Sequence, residues 1–217
     1  MYKKNVVLFD LDGTVINSKE GIFNSLYYTF DKLGMIEQDE HKLQQFIGPS
    51  IGSSFQNLYQ MTNEEAIHAV SIYREYYQSK GIYECEPYEG IEELFLHLKQ
   101  VNKRIAIATK KPEPFAITVM EHLGLAKYMD AICGSDLNEA DNSKAHIIQT
   151  AADLLKTNEY NEVVMIGDTK YDVIGAKKVN IDCIGVLYGF GSEQELIKHG
   201  AIAIAKDMNE LNNILCQ

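Results

Sequence analysis

Cations are scarce in this chain, and so are the cysteine and histidine spacings that would point to metal or redox chemistry. Against 31 Asp and Glu stand 20 Lys and Arg, a net charge of −11 over 217 residues. A surface so short of positive charge repels a phosphate backbone, so nucleic acid is not an expected partner, and a small anion could be held only where a local cation overcomes the field. The four cysteines, Cys85, Cys133, Cys183 and Cys216, are widely spaced and form no C-x-x-C pair, which removes the zinc-knuckle and dithiol readings. Cys133 and Cys183 lie in apolar stretches and are expected in the core. The histidines show no H-x-x-x-H or other ligand spacing. No apolar run approaches the ~20 residues of a membrane span. The opening MYKKNVVLFD reaches Asp10 after four apolar residues, too few for a secretory signal. No membrane partner is expected, and a reducing cytoplasm is the expected location. Repeats and low-complexity tracts are also absent.

What is present is enough apolar residue, 46%, for a large core. The length suits one large domain or a main domain with an insert. From Gly81 onward, short apolar runs alternate with helical patterns. KRIAIAT (103–109), MDAICGS (129–135), EVVMIGD (162–168) and IDCIGVL (181–187) read as buried strands, being short, β-branched and bounded by polar or glycine positions. PEPFAITVMEHLGL, SKAHIIQTAADLLK and TKYDVIGAKKVN read as helices, with Pro112 able to open one and Gly124 to close it. This alternation predicts an α/β fold, a parallel Rossmann-like sheet with helices on both faces.

The segment 18–84 differs, having helical periodicity and no convincing strand. Ile22, Leu26, Phe30 and Leu33 follow a helical course that Gly34 can stop, and Thr62 with Glu65 has capping-box spacing ahead of a helix running through Tyr76 and Tyr77. Between them FIGPSIGSSF, Phe46 to Phe55, reads as loop from its Gly, Pro and Ser. The expected organisation is a core domain of residues 1–16 and 85–217 and an all-helical domain of residues 17–84, inserted after the first strand.

The first strand, VVLF, runs straight into Asp10 and Asp12. Ligands of open α/β sheets bind outside the carboxyl ends of the strands. The polar residues expected there are Asp10 and Asp12, then Thr109 and Lys110, then Asp168 and Asp172. Four carboxylates a few ångströms apart cannot all stay ionised without a cation, and hard oxygen ligands suit Mg2+. Each piece alone has a structural reading: Asp10 and Asp12 as turn caps, Asp168 and Asp172 as an N-cap and an ordinary helix acid, Lys144 as a solvated lysine at a helix start. Their combination favours chemistry.

DLDGTV, the Thr109 that ends the second core strand, the Lys144 that opens a later helix, and GDTKYD together resemble the haloacid dehalogenase superfamily of phosphohydrolases, in the branch with a helical cap after the first strand. The resemblance spans nearly the whole chain in order. Within that branch the sequence is similar to the phosphoglycolate phosphatase group, where a loop like GVLYGFGS is common. The resemblance implies that Asp10 is the nucleophile that becomes an aspartyl phosphate. It implies that Asp12 protonates the leaving oxygen and then deprotonates water, which calls for a pKa well above the ordinary value of about 3.9.

Mg2+ would be held by Asp10, the backbone carbonyl of Asp12 and Asp168, with Asp172 holding a metal-bound water or orienting the lysine. Thr109 would donate to a phosphoryl oxygen, and Lys144 would neutralise charge on Asp10 and the transferring group. Many relatives have proline where Ala145 follows Lys144, and Lys110 and Lys111 are rivals for its role. Lys110 is also a candidate for binding substrate. Gly13 would turn the chain and free backbone N–H groups for an anion. In relatives the cap loop corresponding to Gly48 and Pro49 faces the active site, which makes Gly48 a candidate substrate contact.

The implied function is a Mg2+-dependent phosphatase acting on a small phosphorylated metabolite such as phosphoglycolate, with a nucleotidase or pyrophosphatase of the same family as alternatives. A β-phosphoglucomutase-type mutase is the nearest rival, but such mutases carry Glu-Asp where Gly167 precedes Asp168 here, and extra cap cations where only Arg74 is an arginine. Dehalogenation is disfavoured by the second acid, Asp12. A phospho-accepting regulatory module, modified on Asp10, is the alternative from another class. Neither the substrate nor the oligomeric state, monomer or homodimer, is readable.

Overall fold

A computed structural model describes residues 4–137, 143–156 and 160–216. The chain divides into two compact units, residues 1–16 with 87–217, and residues 17–86. The division at 86/87 lies two residues beyond the expected 84/85.

The larger unit is built on a six-stranded parallel sheet: β1 (Val6–Phe9), β4 (Arg104–Pro112), β5 (Ala131–Ser135), β6 (Val163–Gly167), β7 (Asp182–Val186) and β8 (Ala203–Ala205), in the order β5-β4-β1-β6-β7-β8. The intervening numbers belong to β2 (Ile16–Asn17) and β3 (Glu86–Pro87), which pair as a two-stranded sheet where the chain passes between the units. β1 is the central strand, with Val6 to Phe9 in register with Arg104 to Ile107 on one side and Val163 to Ile166 on the other. All its residues are fully buried. That explains the unbroken apolar run, since a parallel strand covered on both faces has no solvent side to pattern.

Val6 and Leu8 join a cluster with α7 (Lys144–Leu154) and α8 (Lys170–Lys178), through Ile148, Ala151, Val173 and Ala176. Phe9 meets Phe95 of α5 (Ile91–Gln100) edge-on at 5.2 Å, and α10 (Met208–Cys216) packs on α5. Two further helices, α6 (Glu113–His122) and α9 (Glu193–His199), complete the layers. Pro112, expected to open α6 from within its first turn, instead ends β4 and caps the helix, with Pro114 inside that turn. Cys133 and Cys183 are buried. β8 is a further strand that the apolar runs of the sequence did not single out.

The second unit holds α1 (Lys19–Lys32), α2 (Glu40–Gln44), α3 (Ile51–Tyr59) and α4 (Asn63–Ser79). α1 packs on α4, and Thr62 and Glu65 form the expected capping box. Phe46 to Phe55, expected as loop, is loop only to Ser50. There Ser50 caps α3 by accepting from the Ser53 N–H, and Phe55 is fully buried against Phe30 and Phe46 at ring distances of 6.0 and 5.0 Å. Burial of one helical face outweighs the weak propensities of Gly52 and the serines. Among the described residues no helix is long and apolar enough to cross a membrane.

Candidate active site

The strand order reverses between β1 and β6, and in open α/β sheets that switch point opens a crevice at the carboxyl ends. Asp10 follows β1 directly, its N–H donating to the Ile166 carbonyl at 2.9 Å, and Asp168 follows β6. Both carboxylates are therefore set by the register of two adjacent strands. Asp172 comes from the first turn of α8. Its Oδ2 accepts from the Thr169 N–H at 3.1 Å and hydroxyl at 2.8 Å, a capping box that folds its side chain back over Gly167. Any larger residue at 167 would put its Cβ 2.3 Å from the Asp172 carboxyl carbon, so the glycine of GDTKYD makes room for the second acid.

Asp10, Asp168 and Asp172 are all buried, each with a carboxylate oxygen within 4.8 Å of the others. At an effective dielectric of about 20, charges so close repel by roughly 3 kcal/mol or more per pair. One cation answers this. Lys144, the buried first residue of α7, places Nζ 2.7 Å from Asp10 Oδ1 and 2.7 Å from Asp172 Oδ1. Among the described residues neither oxygen has a further hydrogen-bond partner. Asp168 accepts from neutral donors, among them the Phe190 N–H on Oδ2 at 2.8 Å and the Thr14 hydroxyl on Oδ1 at 3.3 Å.

The electrostatics follow. Burial pushes Asp10 up to about 6 against the pull of Lys144, with Asp172 and Asp12 adding to the rise. Burial, then Asp172 and Asp10, push Asp168 well above the usual carboxylate range. Burial alone would lower Lys144, but Asp10 and Asp172 outweigh it and raise it. Three hard-oxygen carboxylates with one ammonium, which pairs with two of them, are short of positive charge, and the donor set fits a divalent cation such as Mg2+.

Asp12 does not join this group. Its side chain was expected beside the other three acids, yet the chain turns at Gly13, at φ +86°, and Asp12 Oδ1 meets Lys111 Nζ at 2.6 Å, both side chains nearly buried. The local reason is that β4 neighbours β1, and its end presents Lys111 to the turn. A cation is thus the observed neighbour of the residue expected to act as an acid. Thr109 is buried at the same strand end, where its Oγ1 accepts from the Lys111 N–H at 3.2 Å and keeps its own O–H to donate. Lys110 is half-buried and forms no ion pair among the described residues. Burial, then Lys144, lowers its pKa, while Asp10 and Asp172 oppose the shift.

Of the two lysines raised as rivals to Lys144, Lys111 pairs with a different acid, and Lys110 forms an ion pair with none among the described residues. Gly48 lies in the second unit, at φ +102° in the turn before α3. Sequence reasoning missed three contacts. Thr14 was part of the quoted DLDGTV motif. The Phe190 N–H has no side-chain signal, only its place in the glycine loop after β7. The Lys111–Asp12 pair has no signal in the sequence, because β4 shifts register between Ala108 and Pro112.

The model of the haloacid dehalogenase-like hydrolases matches residues 7–186. The chain is 35% identical over 209 residues to a 5'-nucleotidase of Pseudomonas aeruginosa, spanning 96% of this chain and 94% of that protein. It is 27% identical over 220 residues to a phosphoglycolate phosphatase of Colwellia psychrerythraea, spanning 97% and 96%. Among solved structures, one described as a predicted phosphatase from Clostridium acetobutylicum superposes with a TM-score of 0.93 at 41% identity, covering 98% of each chain.

Proposed function

The chain belongs to the haloacid dehalogenase-like hydrolase family and is a phosphatase; from that premise we propose that it hydrolyses a small phosphate monoester in the presence of Mg2+, through an aspartyl phosphate on Asp10. One arrangement carries the proposal: a buried lysine 2.7 Å from each of two buried carboxylates, the first of them at the end of the central strand. Lys144 holds Asp10 and offsets charge on the transferring group. The Thr109 hydroxyl donates to a phosphoryl oxygen; the Gly13 N–H, expected to face the anion, instead donates to the Ile16 carbonyl at 2.8 Å and closes the turn.

Asp12 gives a proton to the leaving oxygen and later takes one from water. Asp10 and Asp168, with the Asp12 carbonyl and Asp172 nearby, are the residues that would hold Mg2+, which when bound supplies charge stabilisation at the phosphoryl group. Lys110 and, in the helical unit, Gly48 are proposed substrate contacts. The helical unit itself is proposed to act as the cap. The substrate is a small phosphorylated metabolite. The names of the two curated relatives support a nucleoside monophosphate or phosphoglycolate as the first compounds to try.

Turnover of p-nitrophenyl phosphate with Mg2+ and with EDTA tests the proposal, with Asp10→Asn as the control. The expected result is Mg2+-dependent hydrolysis that Asp10→Asn abolishes while the fold is retained. Near-normal turnover by that variant removes Asp10 as nucleophile, and stoichiometric labelling without turnover turns the enzyme into a phospho-accepting module. A panel of metabolite phosphates then ranks substrates.

A further inference from the structure

Resting on the proposed phosphatase reaction, the geometry points to a role for a residue that reaction does not use: we propose that Lys111 is the positioning residue that aims Asp12 for proton transfer. Its Nζ lies 2.6 Å from Asp12 Oδ1, with side-chain exposures of 5% and 12%. A buried charge pair persists only in good geometry, so the contact fixes the rotamers of both side chains. Oδ2 of Asp12 has no hydrogen bond among the described residues, which leaves it as the oxygen able to exchange a proton. The main chain of Lys111 reinforces the placement, because its N–H donates to Thr109 Oγ1 at 3.2 Å. One residue therefore ties together the acid that serves the leaving group and the hydroxyl proposed to hold the phosphoryl oxygens.

The step it serves balances simply. Asp10 forms a bond to phosphorus as the bond from phosphorus to the leaving oxygen breaks, and the proton on Asp12 Oδ2 passes to that oxygen, releasing an alcohol. Water then attacks the phosphorus of the aspartyl phosphate, returns a proton to Asp12, and frees Asp10 and inorganic phosphate.

This assigns Lys111 to leaving-group protonation, and leaving groups differ in how much they need it. An alkoxide needs a proton as it departs, whereas p-nitrophenolate leaves as a stable anion. The value of kcat/KM reports steps only through leaving-group departure, so the shared hydrolysis of the aspartyl phosphate does not mask the difference. In Lys111→Met, kcat/KM is expected to fall about 100-fold on glycerol 1-phosphate but about tenfold or less on p-nitrophenyl phosphate, within the span of general-acid effects. Lys111→Arg, which keeps the charge, is expected to restore most of the ratio between the two substrates. A melting curve accompanies each variant. If Lys111→Met fails to fold, the Arg variant alone decides: a ratio near that of the wild type supports the assignment. Equal losses on the two substrates, in whichever variant folds, overturn it, since phosphate binding or general loosening would weaken both alike. Wild-type protein that hydrolyses neither compound defeats the phosphatase reading itself, and with it this role.

Discussion

Gly13 shows how little freedom single residues have around the acids. Its φ of +86° is left-handed, and an added Cβ would sit 2.2 Å from Asp168 Oδ2. The backbone alone costs an L-residue roughly 1–2 kcal/mol there, and the collision displaces a carboxylate of the proposed metal site. Gly13→Ala is therefore expected to lower the melting temperature and remove phosphatase activity together, as read by a thermal melt and p-nitrophenyl phosphate turnover. Lys144→Met strips the shared cation from two buried carboxylates and is expected to cost about 3–5 kcal/mol, measured by urea unfolding. Asp10, Asp168 and Asp172 could be grouped from the sequence because each stands at a strand end or helix start whose place a parallel sheet dictates, whereas Lys144 joined them only through the family resemblance. The partner of Asp12 could not. Lys110 and Lys111 are adjacent and chemically identical, and which one reaches the turn depends on a register shift in β4 between Ala108 and Pro112 that apolar patterning does not encode.

For the helices, start signals were more legible than loops. The Thr62–Glu65 capping box stood out because its spacing is fixed by backbone geometry, and Thr62→Ala is expected to destabilise the helical unit by about 1 kcal/mol, visible in chemical denaturation. The first turn of α3 was hidden because Gly52, Ser53 and Ser54 look like loop; its helicity comes from the burial of Phe55, a tertiary effect. Just before α2, the Asp39 N–H, the Lys42 ammonium and the Tyr59 hydroxyl hold the Glu37 carboxyl down to about 2 from its ordinary 4.5. The charged form is the one stabilised, so this contribution is complete above pH 4.5 and disappears as the pH falls through about 2. Glu37→Gln is accordingly expected to melt below the wild type at pH 7, with the gap closing over that acid range. A gap independent of pH would mean that packing, not charge, sets the difference.

At the scale of the whole molecule, the buried excess of three carboxylates over one lysine is a charge imbalance that a divalent ion would relieve. Mg2+ at 100 times its dissociation constant is expected to stabilise the folded protein by about 2.7 kcal/mol, roughly 5–10 °C in melting temperature for a chain of this size. Asp168→Asn should abolish the shift, and a shift that survives it would place the ion elsewhere. The parallel sheet was legible from alternating apolar runs and helices, whereas β8, three residues at the sheet edge, was too short and too exposed to carry a pattern. The central position of β1 also has a consequence for synthesis. β1 is hydrogen-bonded only to strands that begin much later in the chain, at Arg104 and Val163. At about 5–20 residues per second the interval between Phe9 and Gly167, 167 − 9 = 158 residues, amounts to roughly 8–32 s. Through that interval at least one flank of the nascent VVLF segment lacks its native neighbour, β4 on one side until Pro112 and β6 on the other until Gly167, which makes it a natural target for a ribosome-associated chaperone. In stalled chains, the larger unit should resist protease only once Gly167 has cleared the exit tunnel.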